Sequence, residues 1–323
     1  MSLGEFELIA RYFKRPTTRA AVGPGDDCAV LAPRAGMQLA VSCDMLVEGR
    51  HFLSTVDAQR LGHKALAVNL SDLAACGAEP LAFTLALALP RVDPAWLAGF
   101  SSGLHALAER HGCELVGGDT TAGPLNVCIT VFGEVPVGAA LLRSGARPGD
   151  AVWVSHAAGG GLGDARLALE VFRGLVALSG DAFERVRRVM EMPEPRVALG
   201  MALRGVASAA IDVSDGLLGD LSHLLRRSGV GCRLHNEHVP RSADLAAQPQ
   251  ALQRLCTLAG GDDYELVFTA PEAAREQVLA AARDVGVAVT AIGRVEVEPG
   301  LRLVDAHGVA LDNDWQSFDH FRT

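Results

Sequence analysis

Short apolar runs alternate with longer amphipathic stretches along the first 135 residues. Runs rich in β-branched or apolar side chains predict strands at residues 28–31, 38–43, 81–89, 114–116 and 126–135. Between them, apolar side chains recur at three- and four-residue spacing, which predicts amphipathic helices over residues 58–76 and 94–111. This part of the chain is therefore predicted to form an α/β unit.

A stretch rich in Gly, Arg and Pro, residues 136–150, separates this unit from a second set of elements. Helices are predicted there near residues 164–175, 196–204, 217–227 and 271–285. Strands are predicted at residues 151–155, 209–213, 231–235, 264–269, 287–297 and 301–304. No period of about 20–50 residues recurs, which excludes a solenoid. We therefore predict an α/β (α+β) protein of two domains, residues 1–137 and 138–323.

Composition and charge narrow the class of protein. The 323 residues carry 29 Lys and Arg against 38 Asp and Glu, a net charge of −9, which opposes a polyanionic partner, so we predict no nucleic-acid binding. No apolar run approaches the ~20 residues that span a bilayer, and the first residues lack a signal-peptide pattern. We expect a cytoplasmic protein with no membrane partner. The seven cysteines form no C-x-x-C pair, so neither a disulfide framework nor a zinc site is indicated.

Acidic side chains recur where predicted strands end or helices begin. They are Asp26, Asp27, Asp44, Asp72, Asp119, Asp212 and Asp215. Each one alone is explained as a helix cap or a turn residue. As a set they differ, because Asp72 follows a long helical stretch and four others border β-like runs. If they converge, each pair ~4 Å apart repels by ~4 kcal/mol at an effective dielectric constant of ~20, so cations must be present. Carboxylates without a His or Cys cluster favour Mg²⁺ bridged to phosphates, so the acids indicate a metal-dependent phosphate site.

No common nucleotide-binding or hydrolase motif occurs in the sequence context that its chemistry requires. The dipeptide Gly-Lys does not occur, which excludes a P-loop. The segment 159–164, GGGLGD, lacks the third glycine of a dinucleotide fingerprint, and we interpret it as a turn that starts a helix. H-E-x-x-H is absent, and the one G-x-S-x-G match, GFSSG at 99–103, lies inside the predicted helix 94–111 and so forms no nucleophile elbow between a strand and a helix. The acids therefore remain the principal candidates for chemistry.

Seven segments, in order over nearly the whole chain, resemble the motifs of the thiamine-monophosphate kinase family. They are GPGDDCAV (23–30), CDMLVEGRHF (43–52), KALAVNLSD (64–72), GGDTT (117–121), RSGARPGD (143–150), IDVSDGL (211–217) and GGDDYEL (260–266). The resemblance implies the aminoimidazole-ribonucleotide-synthetase-like (PurM-like) fold, with an N-terminal domain that binds ATP and metal and dimerises, and a C-terminal domain. It also implies that ATP and thiamine monophosphate give ADP and thiamine diphosphate, with several Mg²⁺ ions, in a homodimer.

Carried over by position, the resemblance also implies three sets of site residues. The metal set is Asp27, Ser42, Cys43, Asp44, Asp72, Asp119, Asp212 and Asp215. The ATP set is Gly118, Asp119, Arg143 and Ser214. The substrate set is His51, Asp263 and Phe318, with Trp315 as the alternative aromatic. No residue is assigned as a general base.

Five positions depart from the family's pattern. Cys43 replaces a usual Thr, so only its backbone carbonyl is left as a metal ligand. Pro24 and Cys28 alter the first Gly-rich loop, Asp262 replaces a usual Glu, and Phe318 stands where Trp or Tyr is common. These departures affect one metal site and the aromatic contact, while the acids are intact.

The expected chemistry is direct in-line phosphoryl transfer, because the attacking phosphate oxygen is already anionic and needs no strong base. A phosphoenzyme is the alternative mechanism. One rival function is another ATP-using member of the superfamily: a purine-pathway synthetase, a selenophosphate synthetase or a hydrogenase-maturation protein. The chain lacks an N-terminal Cys/Lys pair and a terminal cysteine, which argues against the latter two. The other rival is a non-catalytic nucleotide-binding protein, against which the retained acids argue.

Overall fold

The computed structural model describes residues 4–311, which form two compact units. The first unit comprises the residues up to 73 together with 78–138, and the second comprises 74–77 together with the residues from 139 onward. Along residues 4–311, no helix is long and apolar enough to cross a membrane.

The first unit carries a four-stranded sheet and a small two-stranded one. Its helices are α1 (Glu5–Leu8), α2 (Ala58–Ala75) and α3 (Pro94–Arg110), and a π-helical turn spans Ile9–Phe13. Its strands are β1 (Ala20–Val22), β2 (Val30–Leu31), β3 (Met37–Val47), β4 (Glu79–Leu89), β5 (Glu114–Ala122) and β6 (Asn126–Pro136). The large sheet has the order β3-β6-β4-β5, and β1 pairs with β2. Its pairs are antiparallel except for β4 and β5.

Two strands of this sheet are longer than their sequence pattern predicts. Strand β3 pairs with β6 from Met37 to Val47, and β5 pairs with β4 as far as Ala122. Asp44 and Asp119 therefore lie inside strands, and the expectation that they stand at strand ends is wrong. The reason is that a long partner strand keeps satisfying the backbone hydrogen bonds where the apolar pattern of the strand itself fades.

Glycines let the two long helices of this unit approach closely. A Cβ on Gly62 of α2 would lie 2.0 Å from the Phe100 carbonyl oxygen, and one on Gly103 of α3 would lie 1.8 Å from that of Gln59. Helix α3 begins at Pro94, where Asp93 accepts the N–H groups of the first turn. Residues 61–71 of α2 are all buried, so this helix forms the core of the unit.

The second unit is built on a six-stranded sheet of order β12-β9-β11-β7-β10-β8. Its strands are β7 (Ala151–His156), β8 (Ala209–Asp212), β9 (Gly231–His235), β10 (Leu266–Ala270), β11 (Ala288–Glu296) and β12 (Gly300–Val304). Its helices are α4 (Asp164–Phe172), α5 (Gly180–Glu191), α6 (Val197–Ala202), α7 (Leu217–Ser228), α8 (Ala243–Ala246), α9 (Gln250–Ala259) and α10 (Arg275–Asp284). All strand pairs are antiparallel except β12 with β9.

Helix α7 places its apolar side on the core of this unit. Leu217, Leu221 and Leu224 recur at three- and four-residue spacing and are completely buried. The helix ends at Gly229, whose φ of 70° is the left-handed conformation that favours glycine. Its first residue directly follows the loop that leaves β8, so the helix fixes where that loop ends.

Candidate active site

An open cavity of about 830 Å³ lies in the first unit. Its walls include the Gly-rich loop with Asp26 and Asp27, and the β5 segment with Gly118 and Asp119. Aromatic rings, Phe132 among them, line the apolar side. The structure therefore brings Asp27, Gly118 and Asp119, which belong to two separate motifs, to the wall of one cavity.

Lys14 lines the same cavity, and the sequence analysis did not select it. Its ammonium Nζ lies 3.4 Å from where a Cβ on Gly25 would be. The chain has only two lysines, and the other, Lys64, is buried in α2. Lysine is rare in this chain, in which 27 of the 29 Lys and Arg residues are arginines, and that rarity was a usable signal for Lys14. Lys14 is therefore a candidate phosphate contact beside the acidic loop.

The sheet itself explains why position 118 is glycine. Its φ of 145° is rare for other residues, and a Cβ there would lie 1.8 Å from the Leu85 carbonyl oxygen on β4. We expected the glycine to allow a phosphate to approach the backbone. The close contact with β4 already requires it, so glycine at 118 is not by itself a sign of phosphate binding.

A second group of predicted residues lies where β3 meets α2. The Ser42 hydroxyl donates to Asp72 Oδ2, and the Asp44 N–H donates to Asn69 Oδ1 at 3.1 Å. Asn69 also donates to the Ala65 carbonyl at 3.0 Å, which holds its side chain in place. Asn69 was missed by the sequence analysis, although a polar residue inside the apolar stretch ALAVNLSDLAA was a usable signal.

The two groups lie at opposite edges of the sheet. Asp44 is on β3 and Asp119 on β5, with β6 and β4 between them. At ~4.8 Å per strand this separation is roughly 14 Å. The sheet of one chain thus does not bring these two carboxylates to a single ion.

The donors present suit a hard cation. Within residues 4–311, no three His, Cys, Asp or Glu side chains lie close enough together to hold a metal by themselves. The side-chain donors at the predicted positions are carboxylate and hydroxyl oxygens, which Mg²⁺ prefers, and Mg²⁺ commonly completes its shell with water and substrate phosphate. The residues therefore fit Mg²⁺ that binds together with a phosphate.

Cys43 is exposed, and its sulfur lies 3.5 Å from that of Cys128 on β6. Burial, the hydrogen bond with Cys43 and nearby negative charge raise the pKa of Cys128 to about 11. Cys128 is therefore a neutral thiol at pH 7. The sulfur of Cys43 is a soft ligand, so its side chain is poorly suited to a hard metal such as Mg²⁺.

His51 lies in the turn after β3, and backbone contacts fix its ring. The Val47 N–H donates to His51 Nδ1 at 3.0 Å, and the His51 N–H donates to the Val47 carbonyl oxygen at 3.0 Å. Since Nδ1 accepts, the neutral ring carries its proton on Nε2. The turn therefore fixes the orientation of the His51 ring.

In the second unit, two motif loops run side by side. The Asp262 N–H donates to the Ser214 carbonyl at 2.7 Å, and the Tyr264 N–H donates to that of Val213 at 2.8 Å. Asp262 and Tyr264 have φ values of 64° and 52°, a left-handed conformation that costs a non-glycine residue ~1 kcal/mol or more. These bonds hold the strained residues in place and join the loop after β8 to the loop before β10.

Asp263, between the two strained residues, is buried with an oxygen that has no hydrogen-bond partner among residues 4–311. Its Oδ1 accepts the Gly163 N–H at 2.8 Å, while Oδ2 is the orphan atom. Burial, with Asp164 and Glu265 nearby, raises the pKa of Asp263 well above its ordinary value, and the Gly163 N–H opposes the shift. A neutral carboxyl here can donate a hydrogen bond through Oδ2.

The remaining predicted residues have different settings. Asp212 is the buried last residue of β8, Asp215 follows in the loop, and Arg143 is exposed. Trp315 and Phe318 lie outside the described residues.

Arg196 and Glu265 form a buried ion pair, and Glu265 is two residues after Asp263. Arg196 Nε donates to Glu265 Oε2 at 2.7 Å and Nη2 to Oε1 at 2.5 Å, and the Ser155 hydroxyl donates to Oε2 at 2.5 Å. The two charged side chains are 10% and 8% exposed. Arg196 was not selected from the sequence, since a lone arginine at a helix start gives no signal for a distant partner.

Comparison with known proteins shows likeness over the full length. The models for the AIR synthase related protein N-terminal and C-terminal domains match residues 25–135 and 147–306. The chain is 44% identical over 330 residues to thiamine-monophosphate kinase of Salmonella typhimurium, covering 100% of both chains. The crystal structure of thiamine-monophosphate kinase from Stenotrophomonas maltophilia K279a matches with a TM-score of 0.84 at 42% identity, over 96% of this chain and 99% of that one.

A further solved structure is described as AaThiL complexed with AMPPCP and TMP. It matches with a TM-score of 0.76 at 28% identity, over 98% of this chain and 97% of that one. The family and the two-domain PurM-like fold predicted from the motifs are thus confirmed. With such identity along its whole length, the chain belongs to the thiamine-monophosphate kinase family of AIR synthase related proteins.

Proposed function

We propose that this chain transfers the γ-phosphoryl group of ATP to thiamine monophosphate, which gives ADP and thiamine diphosphate. The observation that carries the proposal is the 44% identity, over the full length of both chains, with a thiamine-monophosphate kinase. The relative complexed with AMPPCP and TMP supports ATP as the phosphoryl donor. The cytoplasmic location stays a prediction.

We assign ATP contacts to residues in each of the two units. In the first, Gly118, Asp119 and the newly found Lys14 line the 830 Å³ cavity. In the second, we assign Ser214 and the exposed Arg143, whose guanidinium suits bidentate bonds to phosphate oxygens. We take the predicted domains, residues 1–137 and 138–323, as the units that carry these two sets.

Thiamine monophosphate is assigned to His51, Asp263 and a C-terminal aromatic. The His51 ring is held by the Val47 N–H, and the Asp263 carboxyl by the Gly163 N–H, so both side chains have fixed positions. Phe318, with Trp315 as the alternative, would supply a ring face for the thiazolium cation.

Several Mg²⁺ ions are part of the proposal. The oxygen donors assigned to them are the side chains of Asp27, Ser42, Asp44, Asp72, Asp119, Asp212 and Asp215 and the Cys43 carbonyl. When bound, Mg²⁺ neutralises the phosphates that must approach one another. This assignment explains why carboxylates outnumber lysines at the predicted site.

The transfer itself needs no protein nucleophile. An anionic phosphate oxygen of thiamine monophosphate attacks the γ-phosphorus of ATP, a new P–O bond forms, and the bond to the β–γ bridging oxygen breaks with its electron pair leaving on ADP. The role of the chain is to position and neutralise the phosphates, which is where most of the rate enhancement of such reactions arises.

A homodimer through the open face of the four-stranded sheet is also proposed. Leu39, Val41 and Met45 alternate along β3 on this face and are 44%, 58% and 51% exposed. Ser42 points to the other face, where its hydroxyl donates to Asp72 of α2. Strand β3 is at the edge of the sheet, and an apolar edge strand exposed to water tends to associate. We propose that a second copy of the chain covers these β3 side chains.

Two experiments test these proposals. Purified protein, ATP and thiamine monophosphate should give thiamine diphosphate with Mg²⁺ and none with an excess of EDTA, and product formed equally in EDTA would contradict the metal assignment. In sedimentation velocity, Val41→Lys should lower the sedimentation coefficient from that of a dimer to that of a monomer. A parent that sediments as a monomer would contradict the dimer.

A further inference from the structure

Three consecutive backbone amides converge on one carboxylate oxygen at the start of α7. The N–H groups of Ser214, Asp215 and Gly216 donate to Asp220 Oδ2 at 3.0, 3.0 and 3.1 Å. Asp220 lies in the first turn of α7, and its own N–H donates to the Gly216 carbonyl at 3.0 Å. The side chain is 4% exposed, so this contact is shielded from water.

Such a group of amides is a nest, the backbone concavity that binds anions in phosphate-binding loops. It stands at the N-terminus of a twelve-residue helix, where the helix dipole favours negative charge. Here the chain fills the nest with its own carboxylate. The amides of residues 214–216 are therefore not the groups that receive a nucleotide phosphate.

The same loop is held on its other side. The Ser214 carbonyl accepts the Asp262 N–H at 2.7 Å, so both backbone polar groups of Ser214 are used within the protein. A Cβ on Gly261 would lie 2.5 Å from the Ser214 carbonyl oxygen, so the two loops are in close contact there. A contact from Ser214 to a nucleotide must therefore come from its hydroxyl, whose direction depends on this fixed backbone.

We propose that Asp220 is a positioning residue for nucleotide binding: its carboxylate holds the loop so that the Ser214 hydroxyl and the Asp215 carboxylate point at the phosphates and their metal. This inference rests on the proposed function, because the roles of Ser214 and Asp215 do. Asp220 itself touches neither substrate, since it is buried beneath the loop.

The test compares Asp220→Ala with a matched control, Asp305→Ala. Asp305 Oδ1 also accepts two backbone amides of a turn, those of His307 and Val309, both at 2.8 Å, but it lies in none of the motifs. Calorimetric titration with ATP and Mg²⁺ should show affinity lowered roughly 10- to 100-fold for Asp220→Ala, the size expected when a hydrogen bond to a charged phosphate is lost. Asp305→Ala should bind ATP as the parent does, and the KM of Asp220→Ala for thiamine monophosphate should stay within about twofold of the parent's.

Two further measurements separate positioning from general stability. Acetate at tens of millimolar should restore ATP affinity to Asp220→Ala by filling the nest, whereas chloride at the same ionic strength should not. If Asp220→Ala does not fold, Asp220→Asn keeps an acceptor oxygen, and its affinity should fall ~10-fold because neutral hydrogen bonds are about half as strong as charged ones. Folded variants that bind ATP as the parent does would overturn the proposal.

The proposed function fails separately. A parent that binds ATP but makes no thiamine diphosphate contradicts the kinase assignment, and the ATP affinities of the Asp220 variants still decide whether this residue positions the loop.

Discussion

Arg196 and Glu265 form a buried ion pair, and removing one partner should destabilise the second unit strongly. Arg196→Met keeps a long apolar stem but leaves the Glu265 carboxylate, 8% exposed, with the Ser155 hydroxyl as its nearest donor. Breaking a buried pair in this way costs ~3–5 kcal/mol. For a unit of about 150–250 residues, each kcal/mol lowers Tm by ~2–4 °C, so we expect a fall of roughly 6–20 °C.

An exposed ion pair and a double variant serve as controls. Arg185 and Asp244 form an equally bidentate pair at 2.8 Å, but the arginine is 61% exposed, so Arg185→Met should change stability by less than ~1 kcal/mol. The double variant Arg196→Met/Glu265→Leu removes both buried charges and should recover most of the loss. Urea unfolding of five proteins, followed by circular dichroism, measures all of these differences: the parent, Arg196→Met, Glu265→Leu, Arg185→Met and the double variant.

Because Glu265 is two residues from Asp263, Arg196→Met should also raise the KM for thiamine monophosphate. The reasoning would be refuted if Arg196→Met were no less stable than Arg185→Met, or if the effects of Arg196→Met and Glu265→Leu simply added in the double variant.

Three other predictions follow from the site. Burial raises the pKa of Asp164 to about 6, so between about pH 4 and pH 6 the native carboxyl keeps a proton that the unfolded chain has released. The resulting contribution to the free energy of unfolding is full below about pH 4 and is lost as pH rises through 6, ~3 kcal/mol in all. In urea unfolding, Asp164→Asn should therefore be more stable than the parent at pH 8 but not at pH 4. Asp72→Asn should abolish turnover while Tm falls little or rises, because it removes one negative charge from the proposed metal-binding acids, where Asp72 accepts from Ser42. A variant that unfolds but keeps full activity in its folded fraction would show that Asp72 is structural. Phe318→Ala should raise the KM for thiamine monophosphate about two- to thirtyfold and leave that for ATP unchanged, and the same result from Trp315→Ala alone would move the aromatic contact by three residues.

The sequence was sufficient where local pattern decides the structure. The leucines of α7 recur at helical spacing, and the helix forms at Leu217–Ser228 with its apolar side in the core. Strand β9 forms at Gly231–His235, as predicted. Asp72 lies within α2, as its helical surroundings indicated, so it is not an N-cap.

The sequence was insufficient where a distant partner decides. Helix α9 was missed because polar residues and Pro249 interrupt the pattern around it. Asp44 and Asp119 lie within strands because β6 and β4 extend the pairing. Arg196 pairs with Glu265, 69 residues further along the chain, and neither residue type nor spacing indicates that contact.

The most direct test of the central claim is turnover by the purified chain. With ATP and Mg²⁺, thiamine monophosphate should be converted stoichiometrically into thiamine diphosphate and ADP, measured by chromatography of the fluorescent thiochrome derivatives. Free thiamine should be a poor acceptor, because its hydroxyl would need a base that the predicted site does not offer. Efficient phosphorylation of free thiamine, or no reaction with thiamine monophosphate, would contradict the account.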